Sequence, residues 1–256
     1  MNIVVPIKMV PDLVEELVID ASGTRLDPDA LRLKLNEFDD HAIEQAILLK
    51  EKGKGEVIIV APDVAGIDDA LFTAAAKGAD RLVKLTGNWN APRGANNHAL
   101  ARVLANFIKT LRAELILTGV QAPNDLDGAV GPPLAEHLGM PYVGYVSGVM
   151  VCDGTAQIRK EYPGGMIAEM QVTLPAVLGI QAAEKPPRYV PISKVRATMK
   201  TAKIEEFPAA ELETIGAPMT VRLFQPETST RATMIEGDAD TVAARLVEIF
   251  KERGVL

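Results

Sequence analysis

Short apolar runs alternate with amphipathic stretches through roughly the first half of the chain, the pattern of parallel strands covered by helices. Ile3 to Ile7 reads as the first strand. After a polar loop, Asn36 is placed to cap a helix that carries Asp39 three residues on and ends at Gly53. Glu56 to Ala61 is a second buried strand, Ile67 to Lys77 an alanine-rich helix stopped at Gly78, and Arg81 to Leu85 a third strand. Leu100, Val103, Leu104, Phe107, Ile108 and Leu111 then recur at three and four residues, one apolar stripe facing a sheet. Leu115 to Thr118 predicts a fourth strand, followed by a polar loop from Gly119 to Asp127 and a helix holding Leu134, Ala135 and Leu138.

The pattern changes after that helix. Gly144 to Val151, Gln157 to Tyr162 and Met166 to Thr173 read as antiparallel strands, the last two joined at Pro163-Gly164-Gly165, and Leu174 to Ile180 as one more buried strand. From Lys185 to about Gln225 there is little periodicity and several prolines, which predicts an arm. Val242, Leu246, Ile249 and Phe250 mark a final amphipathic helix with Asp238 or Asp240 at its start. The expected organisation is an α/β domain over 1–184, an arm over 185–236 and a helix over 237–256 that docks on a partner. The fold class is α/β, a doubly wound, mostly parallel, Rossmann-like sheet with an antiparallel hairpin.

Composition narrows the function. Of 256 residues 48% are apolar, enough for a full core, and only 4% are aromatic, which suits an aliphatic sheet-and-helix interior. The net charge of −7 argues against nonspecific binding to nucleic acid or to an anionic membrane. The lone Cys152 excludes an internal disulfide and a cysteine metal cluster, His41, His98 and His137 are scattered, and no run approaches the roughly 18 apolar residues of a membrane helix. A reducing, cytoplasmic setting is expected. The arm carries Lys185, Arg188, Lys194, Arg196, Lys200 and Lys203 with no acid between them, a basic segment able to meet an acidic partner.

Motifs for nucleophilic, metal or P-loop chemistry are absent, so no catalytic acid, base or nucleophile is expected. What remains is positional, because doubly wound sheets bind ligands beyond the carboxyl ends of their strands. Pro6 and Lys8, Pro62, and the loop holding Gln121, Asn124, Asp125, Asp127, Gly128, Ala129, Val130 and Gly131 fall at such ends. A glycine-bearing loop entering a helix offers N–H groups to a phosphate. It serves equally as an ordinary loop in which Asp127 caps the helix, and Asp125 and Asp127 repel a phosphate placed too near. Asn36, Phe38 and Asp39 are similarly open between packing and ligand contact.

Val5-Pro6-Ile7-Lys8, Asn36-Glu37-Phe38-Asp39, Lys77-Gly78-Ala79-Asp80-Arg81, Gly119-Val120-Gln121-Ala122, Gly164-Gly165, Leu174-Pro175-Ala176-Val177 and Pro187-Arg188-Tyr189, in this order, resemble the beta subunits of electron transfer flavoproteins. The resemblance implies an obligate heterodimer with an alpha subunit that holds most of a redox-active FAD. It implies electron flow from acyl-CoA or similar dehydrogenases, as in fatty acid oxidation, to a quinone reductase, with no direct membrane insertion. By the same analogy Leu13 and Phe38 lie toward the flavin, and Ile192, with Arg188, Tyr189 and Lys194 around it, docks on the dehydrogenase. Pro6, Asn36, Phe38, Pro62 and the loop Asn124 to Gly131 match positions that hold AMP in respiratory members and a second FAD in electron-bifurcating members that use NADH.

The chain departs from both patterns. Respiratory members carry Asn-Gln-Thr-Gly and bifurcating members Asp-Gly-Asp-Thr-Ala-Gln-Val-Gly, whereas this loop reads Asn124-Asp125-Leu126-Asp127-Gly128-Ala129-Val130-Gly131. Val130-Gly131-Pro132 and the long C-terminus lean toward the bifurcating type, and the missing Thr and Gln lean away. The rival readings are an adenylate-forming enzyme, which lacks its phosphate loop here, and a nucleotide-binding module without redox chemistry, which has no use for the arm.

Overall fold

The apolar run at the start of the chain becomes the middle of a nine-stranded sheet. The computed structural model describes residues 1–53, 55–89, 96–209, 220–226 and 232–256. In chain order the elements are β1 (Asn2–Pro6), β2 (Met9–Pro11), β3 (Leu33–Leu35), α1 (Glu37–Lys52), β4 (Glu56–Pro62), α2 (Ile67–Lys77), β5 (Arg81–Thr86), α3 (Asn97–Ile108), β6 (Leu115–Gly119) and α4 (Gly131–Leu138). They continue with β7 (Tyr142–Cys152), β8 (Thr155–Tyr162), β9 (Met166–Thr173), β10 (Ala176–Ile180), α5 (Ile192–Thr198), β11 (Ile204–Pro208) and α6 (Ala239–Glu252).

The strand order is β11-β5-β4-β1-β6-β10-β7-β8-β9, and β2 pairs with β3 in a separate antiparallel ribbon. All neighbours from β11 to β7 are parallel, while β7-β8 and β8-β9 are antiparallel. This is the expected doubly wound α/β sheet. Its parallel strands are buried on both faces, which is why they read as continuous apolar runs. Ile3, Val5, Leu115 and Leu117 pack with Ala42, Ile43, Ala46 and Ile47 of α1 on one side. Val4, Ile116 and Val177 meet Leu100, Leu104, Phe107 and Leu134 of α3 and α4 on the other.

Local chemistry sets the boundaries. Asn96 caps α3 by accepting from the Ala99 N–H at 2.8 Å. Asn36 occupies the cap position of α1, but its side chain makes no cap bond. Its amide instead donates to Asp39 Oδ1 and to the Gln121 carbonyl, both at 3.0 Å, because the end of β6 arrives beside it. Between β7 and β8, Asp153 and Gly154 both have positive φ (48° and 74°), the requirement of a tight hairpin turn.

Inside the stretch read as an arm, the described residues up to 209 return to the chain's own core. Arg188 reaches Glu44 of α1 with three guanidinium bonds, one at 2.8 Å and two at 3.0 Å, and also binds Glu51 at 2.6 Å. Helix α5 lies against α2, and β11 extends the sheet by pairing with β5, so Arg188 is no free charge of the basic segment. Residues Met1–Leu223 and Phe224–Leu256 form two separate units. In the second, α6 is capped by Asp238, whose carboxylate accepts from the Thr241 N–H at 2.9 Å, and its Leu246 and Phe250 are exposed.

Candidate functional site

The chain lays β4 and β5 outward on one side of β1, then crosses back through α3 to place β6 on the other side. The strand order therefore reverses between β1 and β6, and the crevice beyond their carboxyl ends is where such a sheet binds ligands. Because α3 is the returning crossover, its N-terminus arrives at that same edge.

Four segments meet there. Pro6 and Lys8 close β1, Asn36 and Asp39 open α1, Gly119 ends β6 with Gln121, Asp125 and Val130 following, and Leu100 and Leu104 come from α3. Asp39 ties three of them together. Its Oδ2 accepts from the Lys8 backbone N–H at 2.8 Å, and its Oδ1 accepts from the Gly119 N–H at 3.1 Å and from the Asn36 amide. Burial pushes its carboxyl from 3.8 up to about 6, against the pull of these donors.

A second network fills the opening. Lys8 Nζ donates to Asp125 Oδ1 and, at 3.2 Å, to Asn97 Oδ1. The Asn97 amide donates to Asp125 Oδ1 at 2.7 Å and to the Gly128 carbonyl at 2.6 Å. Asp125 Oδ2 accepts from the Ala122 N–H at 2.7 Å. Asp127 does cap a helix, though not the next one in sequence: its Oδ2 accepts from the Asn97 N–H at 2.8 Å, at the first turn of α3.

Most of the sequence-predicted residues thus converge. Others sit apart: Pro62 ends β4, Leu13 is 59% exposed on the loop after β2, Asn124 lies exposed, and Phe38 is half-buried on α1. Among the expected docking residues, Tyr189, Ile192 and Lys194 are exposed, and Arg188 is engaged with Glu44 and Glu51. Sequence reading missed Asn97, whose available signal was an Asn pair before a clear apolar helical stripe; Gly119 was read as the start of the candidate loop but not as a contact of Asp39.

Thr118 is fully buried, and its hydroxyl has no hydrogen-bond partner among the described residues. Among those residues no group of three or more His, Cys, Asp or Glu is placed to hold a metal, and no helix is long and apolar enough to cross a membrane.

A doubly wound sheet with its crevice at the strand-order reversal defines a domain of the nucleotide-binding α/β class. Comparison with known proteins narrows the class. A family profile described as electron transfer flavoprotein domain matches residues 25–212. The electron transfer flavoprotein subunit beta of Methylophilus methylotrophus is 32% identical over 98% of both chains, and that of Clostridium acetobutylicum is likewise 32% identical over 98% of both. The protein of the same name from Syntrophomonas wolfei is 30% identical over 92% of this chain and 91% of its own. The chain belongs to the electron transfer flavoprotein family, as a beta subunit.

Proposed function

We propose that the chain is one half of a heterodimer in which an alpha subunit holds most of an FAD that takes electrons from an acyl-CoA or similar dehydrogenase and passes them to a membrane quinone reductase. Family membership supports the reading, and one structural observation carries it further. The core-facing side of β7–β9, buried at Val149, Ile158 and Val172, continues outward as Tyr162, Met166 and Met170, which are 44%, 66% and 37% exposed. An apolar band running out of a core is the mark of a surface completed by another chain. The exposed Leu246 and Phe250 of α6 add a second such surface.

When bound, the flavin supplies the electron chemistry. Leu13 and Phe38 are apolar and partly open, which fits the edge of a flavin ring system. They provide none of the polar contacts that a pyrophosphate needs, so those fall to the partner. In this reading the beta subunit's work is to position the flavin. The setting we propose is the cytoplasm.

Co-production with an electron transfer flavoprotein alpha subunit tests the reading. A yellow heterodimer whose flavin is reduced by a donor dehydrogenase is the expected result, and a colourless monomer or homodimer overturns it.

A further inference from the structure

We infer that this chain keeps the crevice between β1 and β6 filled with its own side chains, so that neither AMP nor a second FAD seats its phosphate there. The inference rests on the family assignment for the comparison it makes, and on four observations for its content.

The crevice has space for a water's centre of only about 10 Å³, the room of roughly one water molecule. Its cation is already matched: Lys8 Nζ lies against Asp125, with the two side chains only 12% and 9% exposed. Its helix N-terminus is already served, since the Asn97 N–H of α3 is taken by Asp127 and the Ala99 N–H by Asn96. The other helix at this edge offers less than an ordinary N-terminus, because Pro132 and Pro133 in its first turn have no N–H and only the N–H groups of Val130 and Gly131 are left there.

The electrostatics agree with the geometry. Asp39 and Asp125 line the crevice, with Asp127 at the adjoining first turn of α3, and would meet a phosphate carrying up to two negative charges; among the described lining residues only Lys8 is positive. Both chain acids of the loop have a structural task here: Asp125 neutralises the lysine and Asp127 supplies the anion that a helix N-terminus favours. Asp127 stands where the bifurcating pattern has Thr, and Ala129 where it has Gln, so the groups that would face a phosphate are replaced by one that substitutes for it. AMP and a second FAD do not fit this site as its residues stand.

The test is the nucleotide content of the purified heterodimer, released by acid and resolved by chromatography. One FAD per heterodimer with no AMP is expected. Stoichiometric AMP, or a second FAD, overturns the inference while leaving the flavoprotein reading intact. A colourless preparation fails the flavoprotein reading instead, and titration calorimetry of the recovered chain with AMP still decides this one: no binding at millimolar AMP supports it, and saturable binding overturns it. As a second arm, the Asp125→Asn/Asp127→Asn chain, shown by circular dichroism to be folded, is expected to bind AMP at least tenfold more tightly than wild type. Equal or equally absent binding overturns the assignment of the closure to these carboxylates.

Discussion

Gly119 and Asp39 approach so closely that a Cβ on Gly119 would lie 2.3 Å from Asp39 Oδ1 and 2.9 Å from the Asp39 backbone nitrogen. The first turn of α1 is therefore laid directly on the end of β6, and only a residue without a side chain fits between them. Gly119→Ala is expected to destabilise the chain by about 3 kcal/mol, since the obstacle is a held carboxylate and backbone rather than a flexible side chain. Gly128→Ala, at φ +91° with open space around it, should cost only about 1 kcal/mol. Equal denaturation midpoints for the two variants would refute the close-packing argument.

Asp39 gives a pH signature. Its folded carboxyl titrates at about 6 and its unfolded one at 3.8, so the folded chain binds the proton more tightly. The stability this contributes is complete below about pH 4 and is lost as pH rises through 6, a swing of about 3 kcal/mol. In Asp39→Asn the swing is absent, and the variant is weaker at every pH because its amide keeps one acceptor oxygen and turns an NH2 donor toward either the Lys8 or the Gly119 N–H. Unfolding free energies measured from pH 4 to 7 should show wild type falling toward the variant; parallel curves would sink the assignment.

Glu44 is buried with its side chain 3% exposed, and Arg188 is its cation. Arg188→Met leaves that carboxylate without its guanidinium, which is expected to cost about 3 kcal/mol and to loosen the chain around 185–191. Limited proteolysis should cut there in the variant and not in wild type. Glu44→Gln combined with Arg188→Met should recover most of the loss, and failure to recover any would mean that the pair does not hold the segment.

Ile192 opens α5 and is 66% exposed, a large apolar side chain with nothing over it among the described residues. On the proposal that it docks the electron donor, Ile192→Ala should slow flavin reduction by the donor dehydrogenase on the order of tenfold. FAD content and thermal midpoint should stay unchanged. Unaltered reduction rates would remove Ile192 from the docking surface.

The elements legible in the sequence were those whose burial is periodic or continuous. β4, β6 and β10 are buried on both faces, and α3 shows a single stripe, so each was visible within a window of its own length. β2 and β3 were not visible, being three residues each and paired across a long loop. β11 was hidden for a related reason: Ile-Glu-Glu-Phe-Pro has no alternation, and its strand character comes from β5, far away in the chain. At the site, strand ends identified the crevice and with it Lys8, Gln121 and Asp125, whereas Asp39 was marked only as part of a helix start, open between packing and ligand contact. That Asp127 serves α3 rather than the adjacent α4 follows from the crossover, which neighbouring residues do not encode.

The pairing of β11 with β5 orders events during synthesis. Arg81 and Glu205, which clamp the two strands with paired bonds at 2.9 Å, stand 124 residues apart in sequence. Until the ribosome has released that later segment, the β5 margin of a growing sheet offers unpaired backbone groups to any neighbouring nascent chain. A fragment ended before Ile204 would carry the whole crevice and leave the β5 margin unpaired, so this edge of the sheet is closed late, by a strand that takes no part in the site.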